Sequence, residues 1–271
     1  MRPILLLSAL AAAAVPSASL AGIPVEETMR CPIGDRTFSY MTTASYSTWG
    51  ARPDGKPFGS WEFPLALPEC PDNGLVVYDQ FEPGEIARLR PLVASSDYQA
   101  LRTSGDTSYY RAYWLMRRMG APIPNQLWVL VQASWQAETD PPLRRRYLEE
   151  LIARAPELGE PRDDVGLAMR ARVINALREL GRFEEAEAMI RATPLDIARD
   201  SAEVRPTEDW RGHYRRLGII VARRDSSIEP IDMIPRREAE RRCASANLSE
   251  GDRALCREWE EVRRPAPARK D

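Results

Sequence analysis

The chain has 271 residues, of which 44% are hydrophobic and 29% are charged, a composition typical of a globular protein with a packed core. Its 38 Lys and Arg residues nearly balance its 40 Asp and Glu residues, which gives a formal net charge of −2. This balance argues against nucleic acid as a partner, because nucleic-acid-binding domains carry a basic excess. Lys occurs only at Lys56 and Lys270, and we interpret the preference for Arg, with abundant Ala and Pro, as codon bias of a GC-rich bacterium.

Residues 1–21 have the pattern of a secretory signal peptide. Arg2 supplies the positive charge, residues 4–15 form an apolar stretch too short to span a bilayer, and residues 19–21 offer a small-x-small cleavage site. We therefore expect cleavage after Ala21 and a soluble mature protein in the periplasm or the medium. No Cys follows the cleavage site, so no lipid anchor is expected, and no later stretch is apolar enough to predict a transmembrane span.

Residues 22–82 predict a small, loop-rich module with a few strands. The segment is rich in Gly, Pro, Ser, Thr and aromatic residues, and Asp54-Gly55 is a turn dipeptide. Short runs typical of strands lie at residues 37–41 and 75–81, and no window shows helical spacing of apolar residues. We expect these elements to depend on the rest of the chain rather than to form a sheet domain of their own.

Residues 83–198 predict a helical domain, because the apolar residues now recur at helical spacing. One helix is predicted to end at Gly120, since Gly readily adopts the left-handed conformation of a C-terminal cap. The next helix has Asn125 as its predicted N-cap. A third begins at Asp140 and Pro141, a cap followed by a residue whose missing N–H costs nothing in the first turn.

The clearest helical pair, residues 165–194, matches the second half of a tetratricopeptide-type repeat. Val173 and Leu177 line its first helix, Gly181 makes the turn, and Ala186 allows close approach of the second helix. A lone helical pair cannot bury its own apolar face, so we expect it to stack on the preceding helices. The predicted fold is therefore mainly α, a tetratricopeptide-like array that follows the loop-rich module.

The C-terminal part predicts an irregular connecting segment at 199–235, a helical hairpin at 236–264 and a disordered tail at 265–271.

The chain has four cysteines, an even number that suggests disulfides in an exported protein, and three pairings are possible. Cys243 and Cys256 are symmetric about the predicted hairpin turn. Such positions face each other in an antiparallel hairpin, which favours a disulfide between them.

Two loops around Cys31 and Cys70 look like halves of zinc knuckles. The segments CPIGD, residues 31–35, and CPDNG, residues 70–74, follow the pattern C-P-x-C-G, but Gly34 and Asn73 occupy the positions of the second cysteines. A structural zinc site needs four Cys or His ligands, and each loop retains one. The sequence therefore predicts no metal site.

This layout is similar to the uncharacterised bacterial domain-of-unknown-function family 2225, in which two C-P-x-C-G knuckles precede tetratricopeptide-like helices. The resemblance covers residues 31–192, with LVQASWQAE around Trp135 in the place of a family segment of the type AW-Y-R. It implies an architecture and no activity, and the zinc ligands it implies match only at Cys31 and Cys70. Zinc loops bring their cysteines together, so an oxidising compartment favours a Cys31–Cys70 disulfide; other pairings, free thiols and metal binding are the alternatives.

No motif for nucleophilic, metal-dependent or phosphate chemistry occurs in the sequence, so no catalytic residue and no cofactor is predicted. The single histidine, His213, lies among Arg residues and is predicted to be a partly exposed surface side chain rather than a catalytic one. The favoured function is a non-catalytic interaction or scaffold protein, which binds a protein partner of the cell envelope through its tetratricopeptide-like helices. This function is favoured because the sequence gives evidence of packed helices but shows no set of residues in a catalytic pattern.

Two other functions stay open. One is a glycan- or peptide-binding protein, or an enzyme, with its site in the loop 48–64, where aromatic side chains offer stacking faces: Trp49, Phe58, Trp61 and Phe63. The other is thiol redox chemistry or metal handling through the cysteines of the knuckles.

Overall fold

The computed structural model describes residues 22–196, 209–246, 248 and 250–263. Within them the chain is mainly α-helical, with four short strands followed by ten α-helices, as the sequence predicts. The predicted signal peptide and the predicted disordered tail lie outside the described residues. No helix among the described residues is long and apolar enough to cross a membrane.

The N-terminal module contains two separate antiparallel hairpins. Strand β1 (Ile23–Arg30) pairs with β2 (Thr37–Ser45), and β3 (Thr48–Ala51) pairs with β4 (Pro57–Gly59). The strand prediction at 37–41 is confirmed, but the one at 75–81 is wrong, since this run makes only the bridge between Glu69 and Val76. Its apolar residues reflect burial instead, because they pack in a core with α1 and α3.

The ten helices follow with short connections. They are α1 (Pro83–Ala94), α2 (Ser96–Thr103), α3 (Ser108–Met119), α4 (Ile123–Gln136), α5 (Pro141–Arg154), α6 (Asp164–Glu179), α7 (Phe183–Arg191), α8 (Trp210–Ala222), α9 (Arg236–Cys243) and α10 (Glu250–Arg263).

Two of the three predicted helix ends are confirmed. Gly120 closes α3 in the left-handed conformation, with φ of 78°. The carboxylate of Asp140 accepts a hydrogen bond from the backbone N–H of Leu143 and caps α5. Asn125 is not a cap, because α4 already begins at Ile123. Pro122 and Pro124 lie on either side of Ile123. Proline suits this position because the N–H groups of a first helical turn make no hydrogen bond within the helix.

Each helix from α3 to α8 packs against the next, and α6 lies at the centre. One face of α6 contributes Met169 and Val173 to a core shared with α3, α4 and α5. The opposite face contributes Leu167 and Ile174 to a second core shared with α7 and α8. The helix α6 is therefore buried on two sides, which explains why its apolar residues are not confined to a single stripe.

The prediction of an irregular segment at 199–235 is wrong for residues 210–222, which form α8. Gly212 and Gly218 lower the intrinsic helix propensity of this stretch. Burial overrides that propensity, because a stripe at helical spacing packs against the central helices: Trp210, Tyr214, Leu217 and Val221, each at most 7% exposed.

The predicted C-terminal hairpin is present as α9 and α10, which are joined by a disulfide between Cys243 and Cys256 with a Cα–Cα distance of 5.6 Å. A second disulfide joins Cys31 to Cys70 at a Cα–Cα distance of 5.7 Å. Both predicted pairings are thus found in the structure. Such cross-links are typical of proteins that fold in an oxidising compartment.

Candidate functional site

An open groove of about 1380 Å³ lies over α6, between α5 and α7. Its floor is the α6 row Met169, Val173 and Leu177, which follow one another at intervals of four residues along one side of the helix. Ile152 on α5 and Met189 on α7 form the apolar part of the two walls. The groove exists because α5 and α7 both pack on α6 and leave a channel between them.

The connection between α5 and α6 closes one end of the groove. It contains residues 155–163, in which Pro156, Gly159 and Pro161 line the space. The α6 N-terminus is capped there by Asp163, whose carboxylate accepts a hydrogen bond from the N–H of Gly166 at 2.8 Å. Val165, in the first turn of α6, is 59% exposed and contributes an aliphatic side chain to the surface there.

A smaller pocket of about 320 Å³ lies on the other side of Val165, between α4 and α6. Trp128 lines it, and the Arg172 guanidinium lies 4.6 Å from the centre of that indole ring. The two spaces share Pro124, Val165 and Met169 in their linings. Together they form one apolar surface along the N-terminal half of α6.

The lining of the groove has an unusual chemical composition. Among the described residues that line it there is no Ser, Thr, Cys, Asn, Gln, Tyr, His or Lys. The polar side chains are four carboxylates and three guanidinium groups: Glu149, Glu160, Asp163, Glu185, Arg162, Arg170 and Arg182. The groups that could act chemically in the described part of the lining are thus carboxylates and guanidinium groups.

Two of the three Arg residues of the groove are held in ion pairs within the lining. Arg170 lies 3.1 Å from Glu160, and Arg182 lies 2.5 Å from Glu185. The hydrogen bond from Arg182 lowers the pKa of the Glu185 carboxyl. The hydrogen bond to Glu185 raises the pKa of Arg182, and the nearby carboxylate of Glu149, exposed on the α5 wall, adds to this effect.

The aromatic residues of the predicted binding loop are mostly engaged in packing. The Trp49 indole donates a hydrogen bond to Glu238 on α9 at 2.9 Å, and the Arg237 guanidinium lies 5.5 Å from its ring centre. Phe58 packs on the core formed by α9 and α10, and Phe63 is 8% exposed. Trp61 is half-buried, so the four rings do not form one exposed stacking platform.

The two half-knuckles lie side by side, as the resemblance implies. The Cys31 N–H donates to the carbonyl of Arg36, and the Cys70 N–H donates to the carbonyl of Leu75, so each cysteine starts a tight loop. Asn73 stands where a second zinc ligand would be, and its side-chain amide donates to the Ile33 carbonyl of the other loop at 2.5 Å. A disulfide and an amide hydrogen bond thus connect loops that a metal connects in a zinc ribbon.

Three potential metal ligands meet at this point, Cys31, Cys70 and Asp72, with their ligand atoms within 4.8 Å of one another. The two sulfur atoms are joined in a disulfide, and a disulfide offers no thiolate to a metal ion. A structural zinc site also needs four ligands. The donor set present here does not fit such a site.

A buried group of charges joins the β3–β4 turn to the helices, and the sequence analysis missed it. Arg52 donates to Asp54 at 2.8 Å and to Glu138 at 2.5 Å, and its side chain is only 4% exposed. Burial alone would lower the pKa of Arg52, but the neighbouring carboxylates outweigh this effect and raise it. Arg144 on α5 lies within 3.8 Å of the same Asp54 and donates to Glu179 on α6 at 2.5 Å.

This group of charges has a structural role. Burial raises the pKa of the Glu179 carboxyl, although Arg144 opposes the shift. Side chains from the β3–β4 turn, from the segment after α4, from α5 and from α6 pair with one another there, so paired charges fix the N-terminal module to the helical domain. The sequence signal for part of this group is the position of Arg144 and Glu179 inside helices whose neighbouring residues are buried.

The prediction that His213 is a partly exposed side chain is confirmed, since it is half-buried. Its ring lies 5.5 Å from the ring of Trp210 on the same helix, centre to centre. Ring packing on α8 accounts for its position.

Comparison of the chain with protein-family models, with curated proteins and with solved structures finds no match. The similarity to family 2225 therefore stays a prediction from the sequence. The function must be inferred from the groove, the loops and the charges themselves.

Proposed function

We propose that this protein is a non-catalytic interaction module of the bacterial cell envelope, which binds a partner protein in the groove between α5 and α7. The observation that carries the proposal is the lining of that groove, which is apolar on its floor and which, among the described residues, includes no hydroxyl, thiol or imidazole side chain. Concave apolar surfaces of this size on a helical scaffold are typical binding sites. Its Met side chains can adapt to the shape of a partner.

The order of the helices supports a tetratricopeptide-like array. Consecutive helices pack from α3 to α8, and α6 also contacts α4 and α8, the second neighbours expected where helical pairs stack. Gly181 makes the turn between α6 and α7 with φ of 75°, and Ala186 is fully buried where the two helices approach. Arrays of this kind bind other proteins through their open faces.

An envelope location is supported by the cysteines and by the N-terminal sequence. All four cysteines are paired, which fits folding in an oxidising compartment. The first 21 residues have the composition of an export signal. We propose that the protein acts after export and removal of this segment.

The two alternative functions have less support. The rings of Trp49, Phe58 and Phe63 are in contact with the protein's own residues, so a ligand would compete with those contacts. Redox chemistry at Cys31 and Cys70 would require a reductant to reach sulfur atoms of residues that are 3% and 0% exposed. The groove, in contrast, is open at its surface among the described residues.

A site-specific photocross-linking experiment tests the proposal in bacteria that export the protein. A benzophenone amino acid is placed at Ala153 on the α5 wall, at Ala188 on the α7 wall, or at Ala100 on α2. All three alanines are exposed, and only the first two line the groove. We expect the same cross-linked product from both groove positions and none from position 100.

A second variant makes the test specific to the groove. The substitution Ala153→Trp fills the space opposite Ala188 and should suppress the product from position 188, whereas Ala100→Trp should leave it unchanged. The proposal is wrong if the groove positions give no product or if position 100 gives the same product.

A further inference from the structure

We infer that the protein forms a homodimer through the outer edge of strand β2, with the two copies of this strand antiparallel and centred on Met41. The dimer contains one four-stranded sheet, in the order β1-β2-β2-β1. None of the described residues that line the groove belongs to this hairpin, so the inference does not depend on the proposed function. It depends on three properties of the hairpin: its unpaired edge, its distribution of charge and its exposed apolar side chains.

The outer edge of β2 has no strand beside it. In the part of the chain that the structure describes, β1 and β2 pair only with each other and form a two-stranded sheet. The nine residues of β2 therefore present a row of outward backbone N–H and C=O groups that no other described strand pairs with. Such an edge is a template for a strand of another chain.

Most of the hairpin receives little support from the rest of the protein. Met29 and Phe38 lie opposite each other near Cys31, and they are the residues of β1 and β2 that pack against a core among the described residues. A hairpin of two strands is marginally stable in water, and sheets are usually stabilised by three or more strands. A second hairpin, added edge to edge, supplies the missing strands.

The distribution of charge selects β2 rather than β1 as the edge that pairs. Strand β1 contains Pro24 and three charged residues, features that oppose the pairing of an edge strand: Glu26, Glu27 and Arg30. Strand β2 contains no Pro and no charged residue, and its Thr, Phe and Tyr residues favour extended structure. In the four-stranded sheet both copies of β1 lie on the outside, so their like charges are kept apart by the two copies of β2.

Exposed apolar side chains are concentrated at the same place. Of the five large hydrophobic side chains that are exposed among the described residues, three lie in this hairpin or directly after it: Ile23 at 57%, Met41 at 56% and Tyr46 at 45%. Met41 is the middle residue of β2, and strand alternation places it on the face opposite Phe38. A two-fold axis at Met41 brings the two Met side chains together, so that each covers the other.

Strand β2 is complementary to itself, which makes a second copy of the chain the partner. Centring the antiparallel pair on Met41 aligns all nine residues, and each pair occurs twice, as a two-fold symmetric interface requires. The aligned pairs are Thr37 with Ser45, Phe38 with Ala44, Ser39 with Thr43 and Tyr40 with Thr42. They include hydroxyl pairs and an aromatic residue opposite a β-branched one, which are combinations that stabilise neighbouring strands.

Analytical ultracentrifugation of the exported protein, from micromolar to millimolar concentration, tests the inference. We expect the native protein to show a reversible equilibrium between monomer and dimer. Met41→Lys and Met41→Glu, each studied alone, should raise the dissociation constant about tenfold or more, because two like charges then face each other at the axis. An equimolar mixture of these two variants should associate again, because Lys then faces Glu across the axis.

The matched control is Thr28→Lys. Thr28 is exposed and lies opposite Ser39, on the same face of the hairpin as Met41 but on β1, away from the axis. The added charge should therefore change the dissociation constant by no more than about twofold. Thermal unfolding of all the variants distinguishes loss of association from loss of folding, and it should change little because these side chains are exposed.

Three results would overturn the inference. The first is a native protein that stays monomeric at every concentration, which leaves the β2 edge without a second copy. The second is a Met41→Lys variant that associates as tightly as the native protein, which places the dimer contact on another surface. The third is a mixture of the Lys and Glu variants that associates no better than either variant alone, which excludes the pairing centred on Met41.

Discussion

Replacement of Arg178 by Met is expected to lower the free energy of unfolding by about 3–5 kcal/mol, the range for removal of one partner from a buried charged group. The Arg178 side chain on α6 is 0% exposed. Its guanidinium donates to the carbonyl oxygens of Asp225 at 2.6 Å and Ser227 at 2.8 Å. It also donates to the side-chain oxygen of Asn175 at 2.8 Å.

The magnitude follows from what the substitution leaves behind. Met fills much of the same volume but donates no hydrogen bond, so three oxygen atoms lose their donor. At the lower end of about 1 kcal/mol for each buried unsatisfied group, the loss is about 3 kcal/mol. The nearby Glu179 also loses a neighbouring positive charge, which moves the loss toward the upper value.

Chemical denaturation followed by tryptophan fluorescence measures this loss. The matched control is Arg191→Met, which removes an exposed guanidinium that pairs with Glu187 one helical turn away. That pair is 64% and 62% exposed, so its loss should cost only about 0.3–0.5 kcal/mol. If the two variants differ from each other by less than about 1 kcal/mol, the argument that Arg178 anchors the 225–227 loop is refuted.

Two further predictions concern the disulfides and a buried carboxyl. Replacing Cys31 and Cys70 by Ser should destabilise the protein by about 4 kcal/mol, and replacing Cys243 and Cys256 by about 3 kcal/mol, because the first pair closes the longer loop, with a sequence separation of 39 against 13. Limited proteolysis should cut the first variant within residues 22–82, and an unchanged digestion pattern would contradict this. The pKa of Glu179 is raised in the folded state, so binding of a proton by this carboxyl favours folding. As pH rises from 4.5 through the raised pKa, the free energy of unfolding of the native protein should therefore fall relative to that of the Glu179→Gln variant. Chemical denaturation of both proteins at a series of pH values measures this difference, and a constant difference across the range would refute the prediction.

The sequence predicted the elements in which local signals and tertiary burial agree. Asp140 and Gly120 mark helix ends because capping is a local interaction of one side chain or one backbone conformation. The Cys243–Cys256 disulfide follows from positions in one hairpin. The helix α8 was missed because Gly212 and Gly218 interrupt its apolar stripe and lower its helix propensity. The stripe is explained only by its packing against α6 and α7, which the sequence does not show.

The candidate site was less predictable than the fold. The helical pair α6–α7 was expected, and so was an interaction surface on it, but the position of the groove depends on the separation of α5 from α7. That separation is set by packing on opposite sides of α6 and leaves no periodic signal in either helix. The aromatic loop was the alternative site in the sequence, and Trp49 and Phe58 serve to pack the N-terminal module against α9 and α10.

The sequence by itself determined that the chain is mainly helical, and it favoured a Cys243–Cys256 disulfide, because helix periodicity, capping and the symmetry of a hairpin depend on residues close along the chain or on a repeated pattern. For Cys31 and Cys70 it left several alternatives open, and the tertiary structure brings these two cysteines together. Only the tertiary structure decided that Arg52, Asp54, Arg144 and Glu179 share one buried site and that the space between α5 and α7 is open. The physical reason is that charge pairing and cavity shape depend on distances between side chains far apart in sequence. Those distances are fixed by the packing of whole helices.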